Sequence, residues 1–194
     1  MDMQGSRALA VTQQQAWDAL NDPEALRACI PGCDKFESTA ENQYAVGVAV
    51  KVGPLAARFG GKVSLSDVKP PDSYTISFEG QGGAAGFAKG NAKVTLVPQG
   101  TGCELAYTVH AQVGGKIAQL GQRLVDGAAK SMAEDFFKRF DAEMQRRYPE
   151  AYAVAAAAAQ AGATAAAKPG GAKIPVWAWI AGAVLLLAAL WLLR

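Results

Sequence analysis

Between residues 44 and 111 the chain alternates between apolar and polar or small positions. YAVGVAVKV sets Val46, Val48, Val50 and Val52 on one face, with Ala45, Gly47 and Ala49 on the other. The same two-residue period gives Val63 and Leu65; Tyr74, Ile76 and Phe78; Val94 and Leu96; and Leu105, Tyr107, Val109 and Ala111. Side chains of a strand point to opposite faces in turn, so each run reads as a strand with one buried face. Gly53–Pro54, Pro70–Pro71–Asp72, Gly82–Gly83 and Gly100–Thr101–Gly102 supply the turns. Short turns between such strands predict an antiparallel meander.

The period changes at both ends of this region. GSRALAVT, residues 5–12, predicts a first strand. Ala16, Trp17 and Leu20 then mark one short helix, ended by Asn21–Asp22–Pro23; Leu26 and Ile30 mark a second, stopped by Pro31–Gly32. Thr12 and Asp22 are the expected N-caps, with Pro23 in a first turn that needs no N–H. Residues 114–148 repeat apolar or small side chains at Ile117, Leu120, Leu124, Ala128, Met132, Phe136, Phe140 and Met144. That spacing predicts one long amphipathic helix. Gly121 and Gly127 fall inside it, each costing about 1 kcal/mol relative to Ala. The order predicts an α+β domain over residues 1–148. About seven strands curve around the long C-terminal helix, two short helices close one end, and a cavity is left near the other.

Residues 174–193, IPVWAWIAGAVLLLAALWLL, carry no charge. As a helix they span about 30 Å, the hydrocarbon thickness of a bilayer. Trp177, Trp179 and Trp191 sit near the two ends, where aromatic rings favour the headgroup layer. This segment is the expected single transmembrane anchor. Lys168 and Lys173 precede it, with Arg146 and Arg147 further back, and Arg194 follows. The excess of basic residues on the N-terminal side places the domain on the cytoplasmic face of the membrane. MDMQGSRALAV has no long apolar run, so no N-terminal leader is expected. Residues 149–173 are Ala- and Gly-rich and read as a linker, in which the Ala run 155–159 holds a turn or two of helix. A flexible linker of that length reaches roughly 25–30 Å.

Charge and reactive side chains narrow the chemistry. A net charge of +2 with no basic stripe argues against nucleic-acid binding. Three cysteines, Cys29, Cys33 and Cys103, read as free thiols in a reducing compartment. Cys29 and Cys33 with a single histidine, His110, are a poor zinc set and read as packing residues. GQGGAAGFAKG contains a formal G-x-G-x-x-A, but an alternating strand pattern follows it where a phosphate-binding helix would have to start. A glycine-rich bulged hairpin beside the cavity mouth is the expectation. His110, Glu79, Asp67 and Asp126 form no acid–base pair along the sequence, and no nucleophile elbow, P-loop or triad order is present. Lys130, Glu134, Asp135, Lys138 and Arg139 read as the solvated face of the long helix.

ALNDPEALRACIPGC, GQGGAAGFAKGNAKVTL and above all VGGKIAQLGQRLVDGAAKSMAEDFF resemble the CoxG family, named for the G subunit of carbon monoxide dehydrogenase, over roughly residues 1–145. That family belongs to the START/Bet v 1-like (SRPBCC) superfamily of helix-grip folds. The resemblance implies a seven-stranded sheet around a long helix, with an apolar cavity. It also implies a non-catalytic partner of a molybdenum hydroxylase of the carbon monoxide dehydrogenase type, at the cytoplasmic membrane. No covalent cofactor is implied; a respiratory quinone is the implied ligand.

The candidate cavity wall is Trp17, Leu20, Leu26, Ile30, Phe36, Leu55, Phe59, Phe78, Phe87, Leu120, Leu124, Ala128, Met132 and Phe136. Leu55, Phe59, Phe87, Leu120 and Leu124 are placed nearest the mouth. Three functions stay open at this level: a tethered carrier of a lipophile, a recruitment adaptor with no ligand, and a helix-grip enzyme acting on a hydrophobic substrate.

Overall fold

In the computed structural model, which describes residues 1–166, the N-terminal region folds as its caps dictate. Strand β1 (Asp2–Leu9) leads to helix α1 (Gln13–Leu20). The Thr12 hydroxyl accepts from the Gln15 N–H at 3.3 Å, and the Gln15 side chain accepts from the Thr12 N–H at 3.0 Å. This reciprocal pair satisfies two N–H groups left open by the helix start. Asp22 accepts from the Glu24 N–H at 2.9 Å, and Pro23 opens α2 (Pro23–Cys29).

Strands β2 (Cys33–Ala40), β3 (Gln43–Val52), β4 (Leu55–Lys69), β5 (Ser73–Gln81), β6 (Phe87–Gln99) and β7 (Gly102–Gly114) follow. With β1 they form one antiparallel sheet in the order β1-β7-β6-β5-β4-β3-β2. GQGGAAGFAKG is the β5–β6 hairpin, closed by a single 3₁₀ turn at Gly83–Ala85. Helices α3 (Lys116–Gln119), α4 (Gln122–Arg147) and α5 (Pro149–Ala166) complete the described chain. Residues 1–156 form one compact unit.

Three sequence expectations need correction. The first strand is residues 2–9 rather than 5–12, because all eight residues pair with β7, from Asp2↔His110 to Leu9↔Cys103. Val11 then drops into the core and Thr12 caps the helix. The long helix is broken near its start. Gly115 (φ +83°) and Gly121 (φ +89°) take left-handed backbone conformations, open to glycine at little cost. They bracket the single turn α3, so Gly121 is the N-cap of α4 and not an interior residue. Finally, residues 149–166 are helical well beyond the Ala run. Tyr148, Ala151 and Tyr152 pack on the main core, and the Tyr152 hydroxyl donates to Asp141 Oδ1 at 2.5 Å. The expected anchor 174–193, with Trp177, Trp179 and Trp191, lies outside the described residues. Among the described residues no helix is long and apolar enough to cross a membrane.

The core is split. The larger cluster joins Leu9, Val11, Trp17, Leu20, Tyr74, Leu96 and Leu105 to Phe140 and Met144 near the C-terminus of α4. The smaller joins Val52, Ile117 and Val125, with Leu55, Phe59 and Leu120 packed against them, at the N-terminus of α4. The β2–β3, β4–β5 and β6–β7 turns lie at the first end; the β3–β4 and β5–β6 turns and α3 lie at the second. We refer to these as the closed end and the open end.

Candidate functional site: an apolar cavity under the long helix

Of the 26 residues of α4, only Val125, Phe140 and Met144 are buried. The side chains between them, Ala128, Ala129, Met132, Ala133, Phe136 and Phe137, face a void instead of a packed sheet. Small residues at 128, 129 and 133 keep the helix from filling the space that the curved sheet leaves beneath it.

The void has two lobes. The outer, about 360 Å³, lies between α4 and the ends of β3, β4 and β7 at the open end. Val46, Val48, Val50 and Val52 form one wall, Val109, Ala111 and Val113 another, and Phe59, Ala88, Ile117, Val125, Ala128 and Met132 complete it. The inner lobe, about 350 Å³, runs toward the closed end under Leu20, Leu26, Phe36, Leu65, Ile76, Val94, Phe136 and Phe137. Ile30, Val63, Phe78 and Val109 line both, so they form the waist between them. Each lobe has the size of a small-molecule site.

Few polar atoms face this space. Tyr44, Tyr74 and Tyr107 line the inner lobe, the Tyr107 hydroxyl turned onto Gly5; Lys62 and Glu79 edge the outer one. Burial pushes the Tyr74 hydroxyl well above its ordinary pKa, so it stays a neutral donor. No carboxylate lines the inner lobe, and no imidazole lines either. His110 is on the other face of β7, exposed, with Nδ1 2.5 Å from Asp2 Oδ1. It belongs to an outer, polar groove with Lys62, Ser64, Ser77, Lys89 and Asn91. Cys29 and Cys103 are buried, and desolvation raises each thiol to about 11, which keeps them un-ionised.

The structure distributes the candidate wall residues unevenly. Leu20, Leu26, Ile30, Phe36, Phe59, Phe78, Ala128, Met132 and Phe136 line the lobes. Trp17 does not: its indole is buried edge-on against Tyr74, ring centres 5.4 Å apart, as part of the closed-end core. Leu55 and Leu120 line neither lobe; they pack in the open-end cluster against Val52, Ile117 and Val125. Phe87 and Leu124 line neither lobe and are 38% and 50% exposed. The valine row of β3, Val109 and Val113 of β7, Phe137 and the three tyrosines were absent from the candidates. Their signal was the alternation itself, since an inner-face residue opposite a helix that stands away must line the gap.

Other proteins share this architecture. A conserved protein from Geobacillus kaustophilus is 33% identical, with TM-score 0.71, over 75% of this chain and 96% of that one. A protein from Rhizobium leguminosarum (14% identical, TM-score 0.59, 75% and 95% covered) and the Zhui aromatase/cyclase from Streptomyces sp. R1128 (10%, 0.55, 76% and 94%) share the fold. No curated protein matches the chain. The match that speaks to kinship is a family model covering residues 5–145, nearly the whole of the cavity-bearing unit. The chain belongs to the CoxG family, that of the G subunit of carbon monoxide dehydrogenase.

Proposed function

We propose that this protein is a membrane-tethered, non-catalytic accessory of a molybdenum hydroxylase of the carbon monoxide dehydrogenase type. It recruits the enzyme to the cytoplasmic membrane face and carries a lipophilic ligand, a respiratory quinone, in the two-lobed cavity. Family membership supports the accessory role. The uncharged stretch 174–193 supports the tether.

The carrying observation is the cavity. Its walls are aliphatic and aromatic, and no charged side chain lines the inner lobe. A quinone is an apolar chain with a carbonyl-bearing head. Each buried CH₂ contributes about 0.8 kcal/mol, so an isoprenoid tail binds such walls without polar contacts. A phenol that stays protonated can donate to a quinone carbonyl. The walls hold no base–nucleophile pair suited to turnover.

The test is mass spectrometry of the organic extract of natively expressed residues 1–156, the compact unit with both core clusters. A quinone at a stoichiometry near one per chain is expected. An empty extract from folded protein leaves the recruitment adaptor; turnover of an added hydrophobic substrate leaves the enzyme.

A further inference from the structure

The two edges of the sheet are finished differently. At one, the ladder between β2 and β3 shifts register at two places, Asp34, Lys35 and Glu37 stand along β2, and α2 packs against it. Irregular pairing, charge and a covering helix are the usual guards of a sheet edge. At the other edge, β1 pairs with β7 over eight residues without a shift and holds no proline. A groove of about 320 Å³ separates it from α4. Its two charges are turned away, Asp2 to His110 and Arg7 to the Phe137 ring. Met1 and Ala111 exchange both main-chain hydrogen bonds, each 2.9 Å. Such pairs alternate along an antiparallel ladder, so the odd residues of β1 bond to β7, and the N–H and C=O groups of Asp2, Gln4, Ser6 and Ala8 point outward. None of these outward groups has a partner among the described residues.

The groove beside β1 also holds a charge without a partner. Helix α4 runs in the same direction as β1, since Met1 packs with Val125 and Leu9 with Phe140. Asp126, next to Val125, therefore lines the groove at its Met1 end; its Oδ1 is buried and has no hydrogen-bond partner among the described residues. Lys130, one turn on, is exposed and is not paired with it. Toward the Leu9 end, the Arg7 guanidinium lies 5.6 Å from the centre of the Phe137 ring, exposed and with no ion pair among the described residues. A cation toward one end and an orphan anion at the other complement the same strand running backwards. We propose that a second copy of this chain pairs antiparallel with β1 across a two-fold axis at Gly5. This register engages every outward group: Gln4 faces Ser6 and Asp2 faces Ala8 of the second copy, giving about eight main-chain hydrogen bonds. Arg7 of each chain falls opposite Met3 of the other and reaches the Asp126 carboxylate. Because the β2 edge is guarded, the assembly closes at two copies and does not grow into a filament. The inference goes beyond the carrier reading and needs neither ligand nor hydroxylase.

Pairing is tested on the full chain in detergent micelles, in a Cys33→Ser background, with copper–phenanthroline as oxidant. Gln4→Cys combined with Ser6→Cys sets thiols across the axis at about 5.5 Å between Cα atoms, within disulfide range. A cross-linked dimer is expected, whereas Lys35→Cys combined with Glu37→Cys, on the guarded edge, should leave the chain uncross-linked. Light scattering then follows the mass with concentration. Ser6→Pro removes an outward N–H and takes no bond from the β7 ladder, so thermal unfolding should match the parent. The dimer constant should nevertheless fall about tenfold or more, since each dimer loses two main-chain bonds. Arg7→Asp should weaken the dimer by a similar factor. Combining Arg7→Asp with Asp126→Arg should restore it, a rescue that requires the two side chains to meet. A monomeric mass with no cross-link between positions 4 and 6 overturns the proposal. So does a dimer that survives Ser6→Pro unchanged, which puts the interface elsewhere. A thiol at position 4 that is protected only when the hydroxylase is added also overturns it, and gives the edge to a strand of that enzyme. The extract experiment reads ligand and this one reads mass and cross-links, so either reading can fail alone.

Discussion

The two ends of α4 carry different work. At the closed end Phe140 and Met144 are fully buried, and Arg147 bridges Asp22 at 2.8 Å and Glu143 at 2.6 Å. At the open end Val125 is the one buried residue of the helix, Leu124 is half in water, and Lys51, Lys116 and Arg123 make no ion pair among the described residues. Apolar area is removed from water at one end and left incomplete at the other. The difference teaches that stability and ligand space are segregated along one helix: tightening the second end would close the cavity that the packing of the first end makes tolerable.

The largest test of this contrast is Phe140→Ala. It should cost about 3–5 kcal/mol in urea unfolding, as a large void opened in a packed core does. Val125→Ala, at the other end, should cost only roughly 1–2 kcal/mol. Equal losses would mean that the ends are packed alike.

Ala128→Phe sharpens the comparison from the cavity side. Its ring enters the outer lobe, so extracted ligand should fall about tenfold, while stability changes by less than about 1.5 kcal/mol because the ring fills a void and not a packed site. Mass spectrometry and thermal unfolding on one preparation read both.

Acid should loosen the closed end first. Hydrogen bonds from Arg146 and Arg147 hold the Glu143 carboxyl down to about 2, from its ordinary 4.5. A depressed carboxylate pKa stabilises the fold above its unfolded value, and that contribution is lost as pH falls through the folded one. Stability should therefore decline between about pH 4.5 and about pH 2, and Glu143→Gln should flatten that part of the profile. The smallest expected effect is Leu124→Ser, about 1 kcal/mol, since half of the side chain is in water already.

The sheet was largely legible in the sequence because a two-residue period leaves little choice of face. Every inward residue named in the alternating runs is inward in the structure, from Val46 to Ala111. The helix break was not legible. Ile117 and Leu120 keep the apolar spacing through α3, so periodicity runs smoothly over Gly121, and only the backbone angle reveals the stop. The cavity was harder still. Apart from Ala128 the candidate wall consists of bulky side chains, some of which, such as Trp17, fill space; the walls of the outer lobe owe more to valines and alanines that leave it. Whether a helix rests on a sheet or stands away depends on the curvature of the sheet, which no local pattern encodes.

The chain leaves the domain from the closed end, where Tyr148 and Tyr152 fasten the start of α5 to the main core. This turns the connector into a ruler. The 26 residues of α4 measure about 39 Å. Residues 149–173, if wholly helical, measure about 38 Å, and more if partly extended. Under the proposed tether, connector length limits how far the closed end can stand from the bilayer, and deleting two or three helical turns beyond Tyr152 should shorten that reach while leaving fold and cavity intact.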